Sequence, residues 1–299
     1  MATQESIVVS TRAAVRRAEA GRGYWARVRE RLFADRITMA VTLLLFLIIL
    51  SAVAAPLFAT HDPLASSVLA RLKSPGYKGH WLGTDEVGRD LYSRMLYGGR
   101  LSLLCGVAPV AFALLIGGSL GLLAGYSGGF VNSLIVRSMD VLYAFPSILL
   151  AIAICGMLGS GLGNTILALT VTFIPPVVRI SETVTAQVRS AEFVEAARAT
   201  GASSSSIIRN HILNNVLGPI LVYATSLISI AIILAAGLSF LGLGVSPPDA
   251  EWGLMLNNLR QAIWVNPMVA ALPGVMIFLT SMCFNLMSDG LRTAMDVRI

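Results

Sequence analysis

The side chains in this sequence best suited to chemistry are four charged residues close together in its first third. They are Asp85, Glu86, Arg89 and Asp90. Carboxylates at this spacing could serve as acid–base groups or as metal ligands. A solvated helix start, salt-bridged between neighbouring turns and capped by Thr84 or Asp85, explains the same residues more simply. We therefore expect structure rather than catalysis from this group.

Histidine and cysteine are the other candidate ligands and nucleophiles, and neither residue type forms a motif. The histidines are His61, His80 and His211, and they lack the paired helical spacing of metal ligands. The cysteines are Cys105, Cys155 and Cys283, each in an apolar run without a close cysteine neighbour. We predict no catalytic residue and no metal site, and we interpret the cysteines as small packing residues.

A phosphate-binding loop is missing as well. Such a loop needs a Gly-rich turn followed by Lys and then Ser or Thr, and neither Lys73 nor Lys78 lies in one. The chain is therefore predicted not to be an enzyme and to hold no cofactor of its own. Any uphill transport would draw its energy from another protein.

The elements that carry these residues are predicted to be membrane helices. The chain has 299 residues, 56% hydrophobic and only 13% charged, which leaves too little charge to cover a water-facing surface. Lipid cannot satisfy exposed backbone groups, so we predict an all-α membrane protein. Six apolar stretches approach or reach the length of a span. They are Thr38–Phe58, Leu101–Ala124, Val141–Leu158, Leu162–Val178, Val216–Leu243 and Met268–Met287.

Charge placement predicts the orientation of these spans. Most of the 22 Lys and Arg residues fall on one side if the N-terminus and C-terminus are cytoplasmic. Arg residues crowd the tail before the first span, which suits an acidic lipid surface better than nucleic acid. Within this tail, Arg22–Arg36 places aromatic and aliphatic residues near one helical face, which favours a helix at the membrane interface over a partly disordered tail.

No predicted span carries Asp, Glu, Lys, Arg or His in its interior. Ion-driven transporters usually keep such residues, because a buried charge is costly unless it has a function. An ion-gradient-driven carrier remains the alternative, since backbone oxygens alone could bind sodium.

A charged stretch, Glu192–His211, interrupts the apolar pattern on the predicted cytoplasmic side. Residues Val188–Thr200 favour a helix, and Gly201 is placed to end it in a left-handed cap. Ser203 or Ser204 could then cap a second helix that continues into the fifth span. The pattern predicts a short surface helix, a tight turn and a second helix.

The motif "EAARATG", with "HIL" ten residues later, resembles the EAA loop of binding-protein-dependent ABC importer permeases. Taken alone, it could also be an amphipathic connector. The resemblance implies a coupling helix that docks on an ATPase subunit through Glu195, Ala196, Ala197, Arg198 and Gly201. The family commonly has Pro after "HIL"; this chain has Asn214, with Pro219 nearby.

Three further segments resemble the C-type permeases of dipeptide, oligopeptide and nickel importers. They are His80–Leu103, Gly237–Gly253 and Ser288–Arg298. The first contains an extracytoplasmic family signature made of Gly83, Thr84, Asp85, Glu86, Gly88, Arg89 and Asp90. Between the last two spans, Asp249–Trp264 is predicted to be either a docking surface for a binding protein or a re-entrant helix anchored by its tryptophans. Close helix packing is expected at seven glycines: Gly117, Gly118, Gly121, Gly156, Gly159, Gly161 and Gly163.

The resemblance implies a type I ABC importer permease in the bacterial inner membrane, with peptides as cargo ahead of nickel complexes, glutathione or opines. Its partners would be a homologous B-type permease, two ABC ATPase subunits with ATP and Mg, and an extracytoplasmic solute-binding protein. The expected layout is a cytoplasmic tail (1–37), a first span (38–58), an extracytoplasmic loop (59–100), a five-helix core (101–289) containing the coupling loop (188–213), and a second tail (290–299).

Overall fold

The computed structural model describes residues 24–295, and within that range all regular structure is helical, apart from two isolated β-bridges. The main helices are α1 (Tyr24–Ala34), α2 (Arg36–Val53), α3 (Leu91–Ser127), α4 (Gly129–Tyr143), α5 (Ser147–Leu158), α6 (Leu162–Arg189), α7 (Glu192–Ala199), α8 (Leu213–Phe240), α9 (Trp252–Asn258) and α10 (Pro267–Met295). Shorter turns are Ala55–Phe58, Val68–Ala70, Ser204–Ser206, the π-helical Ile207–Ile212 and the 3₁₀-helical Leu259–Trp264. The all-α prediction is confirmed.

Five helical segments are long and apolar enough to span a membrane, and α4 with α5 supplies a sixth if the bent pair counts as one span. The predicted third span, Val141–Leu158, is wrong as a single helix. The chain bends by 81° between α4 and α5. Pro146 is the N-cap of α5, and a proline there disfavours helical backbone at the residue before it.

The predicted boundaries of the other spans also shift. Helix α3 begins at Leu91, so the end of the predicted 59–100 loop is helical, and α6 continues past Val178 to Arg189. Helix α2 ends at Val53, short of the predicted Phe58. Hydropathy marks where lipid ends, whereas a helix ends where its terminal backbone groups find other partners.

Helices α3 and α6 run parallel and in close contact. Helix α3 packs against α6 through glycines that lie one turn apart. A Cβ at Gly117 would meet Val177 of α6, one at Gly121 would meet Ser181, and one at Gly125 would meet Thr185. The expected close packing is thus confirmed at Gly117 and Gly121. At Gly118 it is wrong, because the nearest atom there would be 3.9 Å away, on Leu114 of the same helix. It is also wrong at Gly156, Gly159, Gly161 and Gly163, where a Cβ would meet nothing within 4 Å.

The direction of α3 separates two loops of the molecule. The start of α3 follows the 59–90 loop, and its end lies beside Arg189, whose Nη1 donates a 3.4 Å hydrogen bond to the Gly125 carbonyl. The 190–203 loop, which follows Arg189, therefore lies at the opposite end of α3 from the 59–90 loop. Helix α1 forms within the predicted interfacial segment Arg22–Arg36 and buries Val28, while residues before 24 lie outside the described part of the chain.

Candidate functional site

The signature of the 59–90 loop is built around the buried carboxylate of Asp85. One oxygen, Oδ1, accepts hydrogen bonds from the backbone N–H groups of Val87 (3.0 Å) and Arg89 (2.8 Å). The other, Oδ2, lies 2.6 Å from Arg89 Nε and 3.2 Å from Arg94 Nε. The prediction of a solvated group is wrong, because Asp85 is only 2% exposed and Arg94 1%. The ion pairs satisfy one another inside the protein.

The remaining signature residues fix the backbone around this centre. The Thr84 hydroxyl donates to the Ala70 carbonyl and accepts from the Lys73 N–H. Gly83 has φ +82°, and a Cβ there would meet the Lys73 carbonyl oxygen. Glu86 lies 2.9 Å from Arg89 Nη2. Burial and then the charge of Asp85 raise the pKa of Glu86 above its usual value despite this ion pair.

Asp90, rather than Thr84 or Asp85, caps the helix that follows. Its Oδ2 accepts a 2.8 Å hydrogen bond from the Ser93 N–H, so the predicted cap was placed too early. Burial tends to raise the pKa of Asp90, but hydrogen bonds, led by those from Ser93, outweigh it and the pKa is lowered. The tight turn at Asp85–Arg89 explains the displacement, because it delays the helix until Leu91.

Sequence spacing missed a contact around Asp90. His80 Nδ1 lies 2.8 Å from Asp90 Oδ1, and the ring of His61 stacks on that of His80 with centroids 4.4 Å apart. The expectation that the histidines form no group is wrong for His61 and His80, whereas His211 lies apart, in the Ile207–Ile212 stretch, with its ring 6.5 Å from that of Phe193. No helical spacing could reveal this contact, since a loop brings the two rings together.

The Asp249–Trp264 segment forms α9 and a 3₁₀ turn, and its two tryptophans differ. Trp252 is 1% exposed, its Nε1 donates a 2.9 Å hydrogen bond to the Met95 carbonyl, and it is therefore a packing residue rather than an interface anchor. Trp264 is 90% exposed. Glu251, which the sequence did not single out, is buried and caps α9 by accepting from the N–H groups of Gly253 and Leu254.

Helix α7 presents most of the EAA-like residues to the surface. Glu195, Ala196, Arg198 and Gly201 are exposed and Ala197 is partly buried. Among residues 24–295, the side chains of Glu195 and Arg198 make no hydrogen bond or ion pair. The helix is anchored by Val194, which is fully buried in an apolar cluster with Ile207 and other residues. The predicted single helix over Val188–Thr200 is wrong, because α6 ends at Arg189 and α7 begins at Glu192.

The turn after α7 has the predicted geometry. Gly201 has φ +84°, and its N–H donates a hydrogen bond to the Arg198 carbonyl. The Ala202 N–H donates to the Ala197 carbonyl. The Ser203 side chain accepts from the Ser206 N–H, which confirms the predicted cap. A π-helical stretch, Ile207–Ile212, then leads into α8, and the helix continues through Asn214.

A cavity of about 440 Å³ opens at the bend between α4 and α5. Its walls include Tyr143, Pro146, Phe173 and Tyr223, and no charged residue lines it within the described part of the chain. Just outside, the exposed Arg179 forms an ion pair with Asp140, and its guanidinium lies 5.2 Å from the centre of the Tyr143 ring. The cavity thus combines apolar and aromatic walls with an ion pair at its edge.

Family models match most of the chain. Residues 117–299 match the model described as a binding-protein-dependent transport system inner membrane component. Residues 23–75 match the N-terminal TM domain of oligopeptide transport permease C.

Curated relatives match over nearly their full length. The glutathione transport system permease protein GsiD of Pectobacterium atrosepticum is 40% identical, with 92% of this chain and 91% of that protein covered. The dipeptide transport system permease protein DppC of Alkalihalophilus pseudofirmus is 40% identical, covering 92% and 90%. The probable D,D-dipeptide transport system permease protein DdpC of Escherichia coli is 42% identical, covering 87% of each chain.

Among solved structures, the fold resembles a chain of the MetNI methionine ABC transporter in an inward-facing conformation. The TM-score is 0.57 at 19% identity, with 69% of this chain and 97% of that chain covered. At this identity the likeness concerns the fold.

Proposed function

Since this chain belongs to the family of binding-protein-dependent transport system inner membrane components, as a permease subunit of an ABC importer and not an enzyme, we propose that its cargo is a small peptide or a peptide-like solute. Glutathione and dipeptides are named for three relatives at 40% to 42% identity. All are short amide-linked molecules of similar size. This shared chemistry is the observation that supports the cargo class.

We further propose that the cavity at the α4–α5 bend is this chain's half of the translocation pathway, the other half coming from a homologous B-type permease. Its aromatic walls and lack of lining charges suit a path that passes varied side chains without holding them. Selectivity would then lie mainly in the solute-binding protein. Exchanging the binding protein within one complex should change the cargo; unchanged cargo would contradict this division of labour.

The 190–203 loop is the proposed contact with an ATPase subunit. With the N-terminus and C-terminus in the cytoplasm, this loop faces the compartment that contains ATP, and the 59–90 loop faces the binding protein. Glu195, Ala196, Ala197, Arg198 and Gly201 form the proposed contact. Small residues allow close approach, and the unpaired charges of Glu195 and Arg198 are available to a partner.

The mechanism that follows is alternating access driven from outside the chain. Two ATPase subunits, holding ATP and Mg, close on each other and move α7. The motion would then pass into α6, because only two residues separate its last residue, Arg189, from α7. Helix α6 is continuous from Arg189 back to Phe173 in the cavity wall. The pathway then opens alternately to each side.

The test of this function is purification of the intact complex from its native membrane, followed by measurement of cargo-stimulated ATP hydrolysis. We expect ATPase subunits and a second permease to co-purify. Glu195→Arg and Ala196→Trp should abolish the stimulation at normal expression. Asp289→Arg is the matched control, because Asp289 is also an exposed acid and lies on α10, outside the loop.

A chain that purifies alone, with uptake insensitive to Glu195→Arg, would overturn the coupling proposal. Gly201 is less suitable for this test, since its positive φ would strain any other residue and confuse coupling with folding.

A further inference from the structure

Two histidines and one aspartate of the 59–90 loop meet at the start of α3. A ligand atom from each of His61, His80 and Asp90 lies within 4.8 Å of the other two. His80 Nδ1 is 2.8 Å and His61 Nδ1 is 3.8 Å from the same oxygen, Asp90 Oδ1. These residues serve no step of the proposed transport mechanism.

The spacing of these atoms fits a tetrahedral metal centre. Bonds of about 2.0–2.2 Å from zinc to nitrogen and oxygen place neighbouring ligand atoms roughly 3.3 Å apart. The two observed distances fall on either side of that value. Movements of about half an ångström, within the range of side-chain rotation, would bring each nitrogen to about that separation from the oxygen.

The carboxylate is already oriented for binding through one oxygen. Asp90 Oδ2 is occupied by the Ser93 N–H at 2.8 Å and the Thr60 hydroxyl at 3.3 Å, which leaves Oδ1 facing the imidazoles. Outer contacts of this kind hold metal ligands in place in established sites. The His61 backbone is fixed too, because its N–H donates to Ser93 Oγ at 3.1 Å.

Access and charge also favour a cation. The Asp90 side chain is fully buried, whereas the side chains of His80 and His61 are 16% and 37% exposed, so an ion can enter from the histidine side. The charge of Asp90 favours a cation, whereas the positive charges of Lys73 and Lys78 oppose one. Their ammonium groups lie over the Tyr77 ring, 5.6 and 5.5 Å from its centre, and this ring is 6.5 Å from that of His80.

We propose that His61 Nδ1, His80 Nδ1 and Asp90 Oδ1 bind one divalent cation of the zinc class, with water as the fourth ligand. Neutral imidazoles bind with their protons on Nε2, so the proton between His80 Nδ1 and Asp90 Oδ1 moves to Nε2 or leaves. His61 Nδ1 exchanges its 3.0 Å contact with the Thr60 hydroxyl for the ion. The ion ties the chain just after the first span to the first turn of α3. It is a site distinct from the cargo path.

Zinc titration of the full chain in its complex tests the proposal, using an affinity tag without histidine. We expect about one additional zinc per permease and a higher thermal unfolding midpoint in its presence. Cobalt should give the strong visible absorption of a tetrahedral centre. His61→Gln and His80→Gln should each lose the bound ion and the cobalt band.

The third histidine supplies the control. His211→Gln removes an imidazole at the far end of α3 and should bind zinc as the unmodified chain does. Asp90→Asn keeps a helix-capping oxygen while removing the charge, so it should weaken binding without unfolding the loop. Equal zinc binding by the unmodified chain and both His61→Gln and His80→Gln would overturn the proposal, as would no binding at all.

Discussion

The two polar loops of this permease use their charges in opposite ways. In the 59–90 loop, Asp85 and Arg89 are buried and bonded to each other, and Asp85 also pairs with the buried Arg94 of α3. In the 190–203 loop, Glu195 and Arg198 are exposed, and only the apolar side of α7 is fixed, through Val194. The charges of the first loop find their partners within this chain, whereas Glu195 and Arg198 are exposed and have no such partner among the described residues.

The difference matters because both loops contain residues that the sequence resemblance singled out. In the first loop these residues are joined by hydrogen bonds and ion pairs, so they should support the fold. In the second loop most of them are exposed, so they should matter more for binding a partner. Substitutions should therefore affect stability in the first loop and coupling in the second.

The largest effect on stability is expected from Asp85→Ala. Loss of this carboxylate leaves Arg89 and Arg94 buried without their counter-ion, at a cost of about 3–5 kcal/mol in the free energy of unfolding. Thermal unfolding of the purified complex measures it, with exposed Asp289→Ala as the control. A loss below about 1 kcal/mol would mean that the ion pairs are not structural.

Gly88→Ala should have the next largest effect. Gly88 has φ +81°, and a Cβ there would meet the Ser67 carbonyl oxygen, so strain and a clash combine to cost about 1–3 kcal/mol. Gly76→Ala is the matched control, because Gly76 has a similar φ of +86° but open space around it. Equal losses of stability for the two variants would show that the close approach is unimportant.

Val194→Ala probes the buried attachment of α7. Removing two buried methyl-sized groups should cost about 1–2 kcal/mol and increase hydrogen exchange in residues 192–206 more than elsewhere. Phe193→Ala, at a residue that is 46% exposed, should cost less. Uniform exchange across α6, α7 and α8 in the Val194 variant would indicate that α7 is not a separable unit.

Glu195→Ala should have the smallest effect on stability, within about 0.5 kcal/mol, because this side chain contacts no charged group of its own chain. Cargo-stimulated ATP hydrolysis should nevertheless fall. Measuring both quantities on one preparation separates the two roles. A variant that unfolds as readily as Asp85→Ala would remove the distinction between the loops.

The sequence predicted what depends on local chemistry. Apolar runs located the spanning helices, and Gly201 with Ser203 located the turn after α7. Sequence-based prediction failed where the structure depends on contacts between residues far apart in the chain. The burial of Asp85 depends on Arg94 in the next helix, and the meeting of His61 with His80 depends on a loop path that no periodicity encodes.

The bend at Pro146 was missed for another reason. Residues 141–158 are continuously apolar, so hydropathy alone could not separate one straight span from two short helices. The proline was visible in the sequence, and its effect on the preceding backbone was the available signal.

The glycine contacts between α3 and α6 should make these two helices move as one rigid unit. A displacement of α7 would reach this unit through Arg189, which lies beside Gly125. Because a Cβ at Gly117 or Gly121 would meet Val177 or Ser181, the two helices pack closely, and we expect them to tilt together rather than slide. A small displacement at α7 would then become a wider swing at Leu91, at the other end of α3.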